Sequence, residues 1–149
     1  MNRLRSTITI GVLLGCIASF IIACASTARL PENINIIPPS PDLPSEIAAF
    51  SGFWKGKWSG YQEIIIIVET INLKKARVII SHGMIEGYES RYFYRSFKVE
   101  DGPVLRIVYP NGDQMSLRLD ENINILHSTF IENKTGAKWI ADLYKQNTI

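Results

Sequence analysis

The sequence predicts a small all-β domain, an eight-stranded antiparallel up-and-down barrel preceded by one short helix. Three observations carry this. From Phe53 onward, short runs rich in β-branched and aromatic residues recur every ten positions or so. Between them stand Ser59-Gly60, Glu86-Gly87, Asp101-Gly102 and Asn111-Gly112, pairs that tolerate the positive φ of tight hairpins. Beyond Ser51 no helical period is left to supply crossovers, so neighbouring strands run antiparallel, and closure removes the exposed edges of an open sheet.

Taken in order, the chain begins with an address. Arg3 and Arg5 precede an apolar run from Ile8 to Ala23, followed by Cys24, the three-part layout of an export signal over residues 1–23. Ile21-Ile22-Ala23-Cys24 resembles the lipobox of bacterial lipoproteins. The resemblance implies cleavage before Cys24 and acylation of its thiol, and hence a membrane partner reached through a lipid anchor. Leu13-Leu14-Gly15-Cys16 ranks second because it leaves a very short apolar run ahead of the cysteine. An uncleaved spanning helix is the less favoured alternative to an export signal, since Gly11, Gly15 and several hydroxyl residues interrupt a stretch barely long enough to cross, and the cysteine is well placed. Ala25 and Ser26 differ from the aspartate of an inner-membrane retention signal, so the expected location is the outer membrane, with the domain facing the periplasm.

Residues 24–44 read as the lipidated cysteine and a tether. Pro31, Pro38, Pro39, Pro41 and Pro44 are five of the seven prolines, and proline biases its neighbours toward extended backbone. At ~3.1 Å per residue such a segment spans about 60 Å. The domain proper is expected at 45–149. Ser45 is placed to cap a helix of one or two turns through Phe50. The eight strands are expected at Phe53 to Ser59, Glu63 to Ile71, Ala76 to His82, Arg91 to Glu100, Val104 to Tyr109, Gln114 to Leu119, Ile125 to Ile131 and Lys138 to Lys145. The Asn133-Lys134-Thr135-Gly136 segment reads as the last turn rather than a glycosylation acceptor.

Alternation assigns faces. Trp54, Gly56 and Trp58 share the inner side of the first strand, and Ile64, Ile66 and Val68 one side of the second. Ile65 and Ile67 fall on the other side with Glu63 and Glu69, which read as solvated. Bare, the Ile64 to Val68 run is aggregation-prone, so it calls for cover by the helix, a second subunit or a membrane surface. The strand from Arg91 to Glu100 has two contending faces. The default puts Arg95 outside, its stem over apolar neighbours, and Tyr92 and Tyr94 inside. The reverse buries Arg95 among Phe93 and Phe97, where a guanidinium needs a carboxylate or an anionic ligand.

A short helix followed by Gly52-Phe53-Trp54 at the start of the first strand resembles the entry of lipocalin and related calycin barrels. The resemblance covers about a dozen residues and the strand count. It implies a lipocalin-like barrel whose floor is closed by Trp54, with Lys145 as the basic residue of the last strand, where an arginine is more typical.

Chemistry is narrowly bounded. Without Arg3 and Arg5 the basic and acidic side chains are equal in number, at fourteen each, and they are interspersed, which excludes the basic field of a nucleic-acid binder. Cys16 leaves with the signal and Cys24 is acylated, so disulfides and cysteine nucleophiles are excluded. No Gly-x-Ser-x-Gly elbow or phosphate-cradling glycine loop occurs, two histidines (His82 and His127) specify no metal site, and neither an enzyme nor a cofactor is expected. The expectation is an anchored barrel that binds a small apolar or amphiphilic ligand, with Trp54, Trp58, His82, Tyr94, Arg95 and Trp139 as pocket candidates. Its rival is a structural or inhibitory envelope protein with a solid core, acting through its outer surface on an envelope protein or as a homodimer. Ile65 and Ile67 favour that rival.

Overall fold

A computed structural model describes residues 27–59, 61–84 and 89–147. The signal, Cys16, Cys24, Gly60 and the Glu86-Gly87 turn lie outside them. A single-turn helix α1 (Ser45–Ala48) leads into strands β1 (Gly52–Trp58), β2 (Gln62–Ile71), β3 (Lys75–His82), β4 (Arg91–Glu100), β5 (Val104–Val108), β6 (Gln114–Asp120), β7 (Ile125–Ile131) and β8 (Lys138–Gln146). Each strand pairs antiparallel with the next and β8 pairs with β1, which gives a closed up-and-down barrel. Gly102, Gly112 and Gly136 take positive φ in their turns, as do Ser59 and Asn124.

The barrel has two unlike ends. β1 rises from Gly52 at the floor to Trp58 at the rim, so the 72–74, 101–103 and 121–124 turns lie at the floor and the 109–113 and 132–137 turns at the rim. The floor half is filled by Trp54, Val68, Ala76, Phe97, Leu105, Leu117 and Leu143, all fully buried and joined with Phe50 into one core. Trp54 Nε1 donates to the carbonyl of Phe50 at 2.8 Å, and Lys145 Nζ sits 5.0 Å from the Trp54 ring centroid while donating to the Ala49 carbonyl. The Trp54–Lys145 plug is thus in place, with the lysine's pKa lowered by burial. Gly56 is required by closure: a Cβ there would lie 2.2 Å from the Asp142 carbonyl oxygen of β8.

Four expectations are corrected. Pro44, not Ser45, occupies the cap position of α1, and no side chain caps it; Ser45 is its first residue. On β4 the inner face is Phe93, Arg95, Phe97 and Val99, because Phe97 lies opposite Ala76 and Arg95 opposite Val78, both of which face the core. Tyr92 and Tyr94 therefore point outward, where Arg77 stacks over Tyr94 at 5.1 Å. The Pro-rich segment is not free throughout: Ala28, Leu30, Ile34 and Ile36 pack on Phe53, Ile65, Ile67 and Ile79, forming a second apolar cluster on the outside of the barrel. This strap covers the isoleucine stripe in place of the helix, a subunit or a membrane. Glu69 is consequently buried rather than solvated, and Glu63 is half-buried.

Polar contacts fix the strap at both ends. Near the rim the Ala28 amide donates to Glu63 Oε2 at 2.6 Å, the Arg29 amide to Ser90 Oγ at 2.7 Å, and Ser81 Oγ donates to the Arg29 carbonyl. Near the floor a β-bulge between Val68 and Thr70 takes Glu69 out of the ladder. Its carbonyl accepts the Ile37 amide at 2.8 Å, and its carboxylate accepts the Asn35 amide and pairs with Arg77 at 3.0 Å. Burial raises the Glu63 carboxyl, but the Ala28 amide and the Lys55 ammonium at 2.7 Å outweigh it and hold the pKa below its ordinary value.

Candidate functional site

The rim half of the barrel is hollow. Strands β1 and β3 end on inward-facing Trp58 and His82, which flank β2 and meet above it: Trp58 Nε1 donates to His82 Nδ1 at 3.2 Å, and the rings stack with centroids 6.4 Å apart. Accepting at Nδ1 requires an unprotonated ring nitrogen, and burial lowers the His82 pKa in the direction that keeps the ring neutral. Phe93 of β4 leans on the far side of His82 at 6.4 Å. On the opposite wall, Tyr109 contacts Phe130 at 6.0 Å, and Phe130 contacts Trp139 at 5.6 Å.

Arg95 closes the circuit between these two aromatic sets. Its guanidinium carbon lies 5.0 Å from the Phe93 ring centroid and 5.7 Å from that of Tyr109, and Nη1 donates to the Tyr94 carbonyl at 2.9 Å. The position arises from a split in the barrel. β4 and β5 pair only through Lys98–Arg106, Val99–Leu105 and Glu100–Val104, so β4 from Arg91 to Phe97 is laddered to β3 alone and Arg95 reaches across the gap. Asp113 is the acid on this side, but both its oxygens serve the rim turns, accepting from the Asn133 amide at 2.9 Å and Asn111 Nδ2 at 2.7 Å. Among the described residues no carboxylate lies within ion-pair distance of Arg95. Burial raises the Tyr109 pKa, with Arg95 pulling it the other way.

The two aromatic sets wall a cavity of about 390 Å³ that opens at the rim, with Met115 also on its surface and with Gln62, Glu89 and Arg91 as the polar part of its lining. A smaller space of about 230 Å³ beside it reaches Ile80, Arg95 and Asp113. The main cavity falls in the lower part of the ~300–1,000 Å³ range of small-molecule sites. Its lining suits an apolar body, while Arg95 offers an unneutralised cation on the flank.

Of the residues singled out from the sequence, Trp58, His82, Arg95 and Trp139 come together here. Trp54 lies at the closed floor and Tyr94 on the outer wall, so neither borders the cavity. Phe93, Tyr109, Met115 and Phe130 were missed as pocket residues, as were the polar Gln62, Glu89 and Arg91. For Phe93 the signal was its shared alternation with Arg95. His127 stands outside, 2.7 Å from Asp142, on a different face from His82. Among the described residues, no three metal-ligating side chains converge.

No family model and no curated protein matches the chain. Among solved structures, it is similar to lipocalin 12 from rat epididymis, determined by solution NMR, at a TM-score of 0.45 and 11% identity over 80% of this chain and 76% of that one. A likeness of that size carries no inference about ligand or activity. By their own strand order and register, the described residues form a closed eight-stranded antiparallel barrel with one short helix, filled at one end and open at the other.

Proposed function

We propose that this protein is a lipid-anchored envelope protein, held by acylated Cys24, whose barrel binds a small amphiphile in its rim cavity. The observation that carries the binding reading is an aromatic cavity flanked by an inward-facing arginine that lacks a carboxylate partner among the described residues. An apolar chain would lie between the Trp58–His82 and Phe130–Trp139 walls, and an acidic or acceptor head group would meet Arg95 through bidentate, charge-assisted hydrogen bonds. The lipid anchor and the outer-membrane location rest on the Ile-Ile-Ala-Cys motif and on the residues that follow it. The rival reading, action through a bare isoleucine stripe, loses its main support because the strap already occupies that stripe.

The test is native mass spectrometry of the chain from Ala25 onward, exported without its anchor, purified without detergent, and extracted for bound molecules. A stoichiometric amphiphile, lost in Arg95→Ala and in Trp139→Ala and weakened in Arg95→Lys, which keeps the charge but not the bidentate fork, is expected. An empty cavity that also takes up no long-chain acid on titration would overturn the reading.

A further inference from the structure

We infer that the strap holds the barrel with its open rim against the bilayer, so that the cavity exchanges its ligand with the lipid phase. This rests on the reading of Cys24 as the acylated anchor. The strap has a direction: Ala28 and Arg29 are bonded to Glu63, Ser81 and Ser90 beside the rim, and Asn35 and Ile37 to Glu69 toward the floor. The chain therefore comes onto the barrel at its open end and leaves it at its closed end.

Lengths decide what the anchor reaches. Four chain steps separate Cys24 from Ala28, at most ~14 Å at ~3.6 Å per residue. The ten-residue β2 tilted ~40° makes the barrel about 25 Å tall. An anchor so short cannot pass the floor while the strap stays bound, but it brings the rim to the head-group layer. The rim presents side chains suited to that layer: Tyr61 is 86% exposed, Met84 is exposed just beyond the end of β3, and Trp139 and Phe93 are partly exposed on the cavity wall. Ligands that are themselves bilayer amphiphiles then pass between membrane and cavity without crossing water.

The experiment uses the full acylated chain, reconstituted in phosphatidylethanolamine–phosphatidylglycerol vesicles that carry a head-group nitroxide lipid. Single thiols are introduced by Tyr61→Cys or Lys134→Cys at the rim and by Leu73→Cys or Ile123→Cys at the floor, all at exposed positions, and each is labelled with a small fluorophore. The rim labels are expected to be quenched several-fold more than the floor labels. Equal quenching, or stronger quenching at the floor, overturns the orientation. Mass spectrometry of the same preparation separates the two readings. An unacylated Cys24 removes anchor and orientation together, whereas an acylated chain with unquenched rim labels removes the orientation alone.

Discussion

At the scale of residues, the Trp58–His82 bond makes one histidine a pH-sensitive part of the rim. Burial lowers the His82 pKa below 6.5, so the native state binds this proton less readily than the unfolded chain does. The resulting stability is complete above pH 6.5 and is lost as pH falls through the lowered native value. The thermal unfolding midpoint is expected to drop on acidification from about pH 7 to about pH 5. In His82→Gln, whose amide oxygen still accepts the Trp58 N–H, that part of the drop should vanish. An unchanged acid profile in the variant would place the loss on other groups. Glu63 contributes with the same sign in a lower window, below 4.5. Trp58 and His82 were legible in the sequence because each ends a strand with clear alternation. Arg95 was legible as a candidate but its face was not, since β4 carries large side chains on both faces, and only its register against Ala76 and Val78 decides which of them is inside.

Among the elements, the strap changes how the molecule is divided. Residues 28–37 have the composition of a linker, yet they lie on the barrel because Leu30, Ile34 and Ile36 meet an apolar stripe of matching length. Ile34→Asp with Ile36→Asp should release the strap and leave the barrel closed. Amide exchange at Asn35 and Ile37 would rise toward unprotected rates, and stability would fall by about 2–4 kcal/mol through loss of two partly buried isoleucines. Unchanged protection at Ile37 would show that the bond to the Glu69 carbonyl holds the strap without its apolar face. The need for cover was legible from Ile65 and Ile67. Its source was not, because prolines mask the alternation of the covering residues, and the bulge at Glu69 that receives them is a property of strand pairing. The strand bounds came through closely because each turn has its own chemistry, as the positive φ of Gly102, Gly112 and Gly136 shows.

For the molecule as a whole, the decisive joint is the seam between the first and last strands. It pairs Phe53 with Gln146, Trp54 with Lys145, Lys55 with Tyr144 and Gly56 with Leu143. Gly56→Ala forces a methyl group into the Asp142 carbonyl, and should cost about 3 kcal/mol or more as β8 shifts away. Urea unfolding would read the loss, and intrinsic fluorescence of Trp54 would report whether the floor loosens with the seam. A neutral outcome would mean that β8 can slide without penalty. Strand count and floor plug were legible in the sequence. Where the wall parts beside the cavity was not, because the split between β4 and β5 depends on how far their ladder extends in three dimensions.

The strap's bonds span less sequence, from 34 positions between Asn35 and Glu69 to 61 between Arg29 and Ser90, than the Lys145–Ala49 bond at the seam, which spans 96. A chain delivered N-terminus first thus has its strap and isoleucine strands in hand long before β8 arrives. Early contacts cost less loop entropy than late ones. The segment most prone to self-association is sheltered by its own upstream neighbour during the interval in which the barrel still has two free edges.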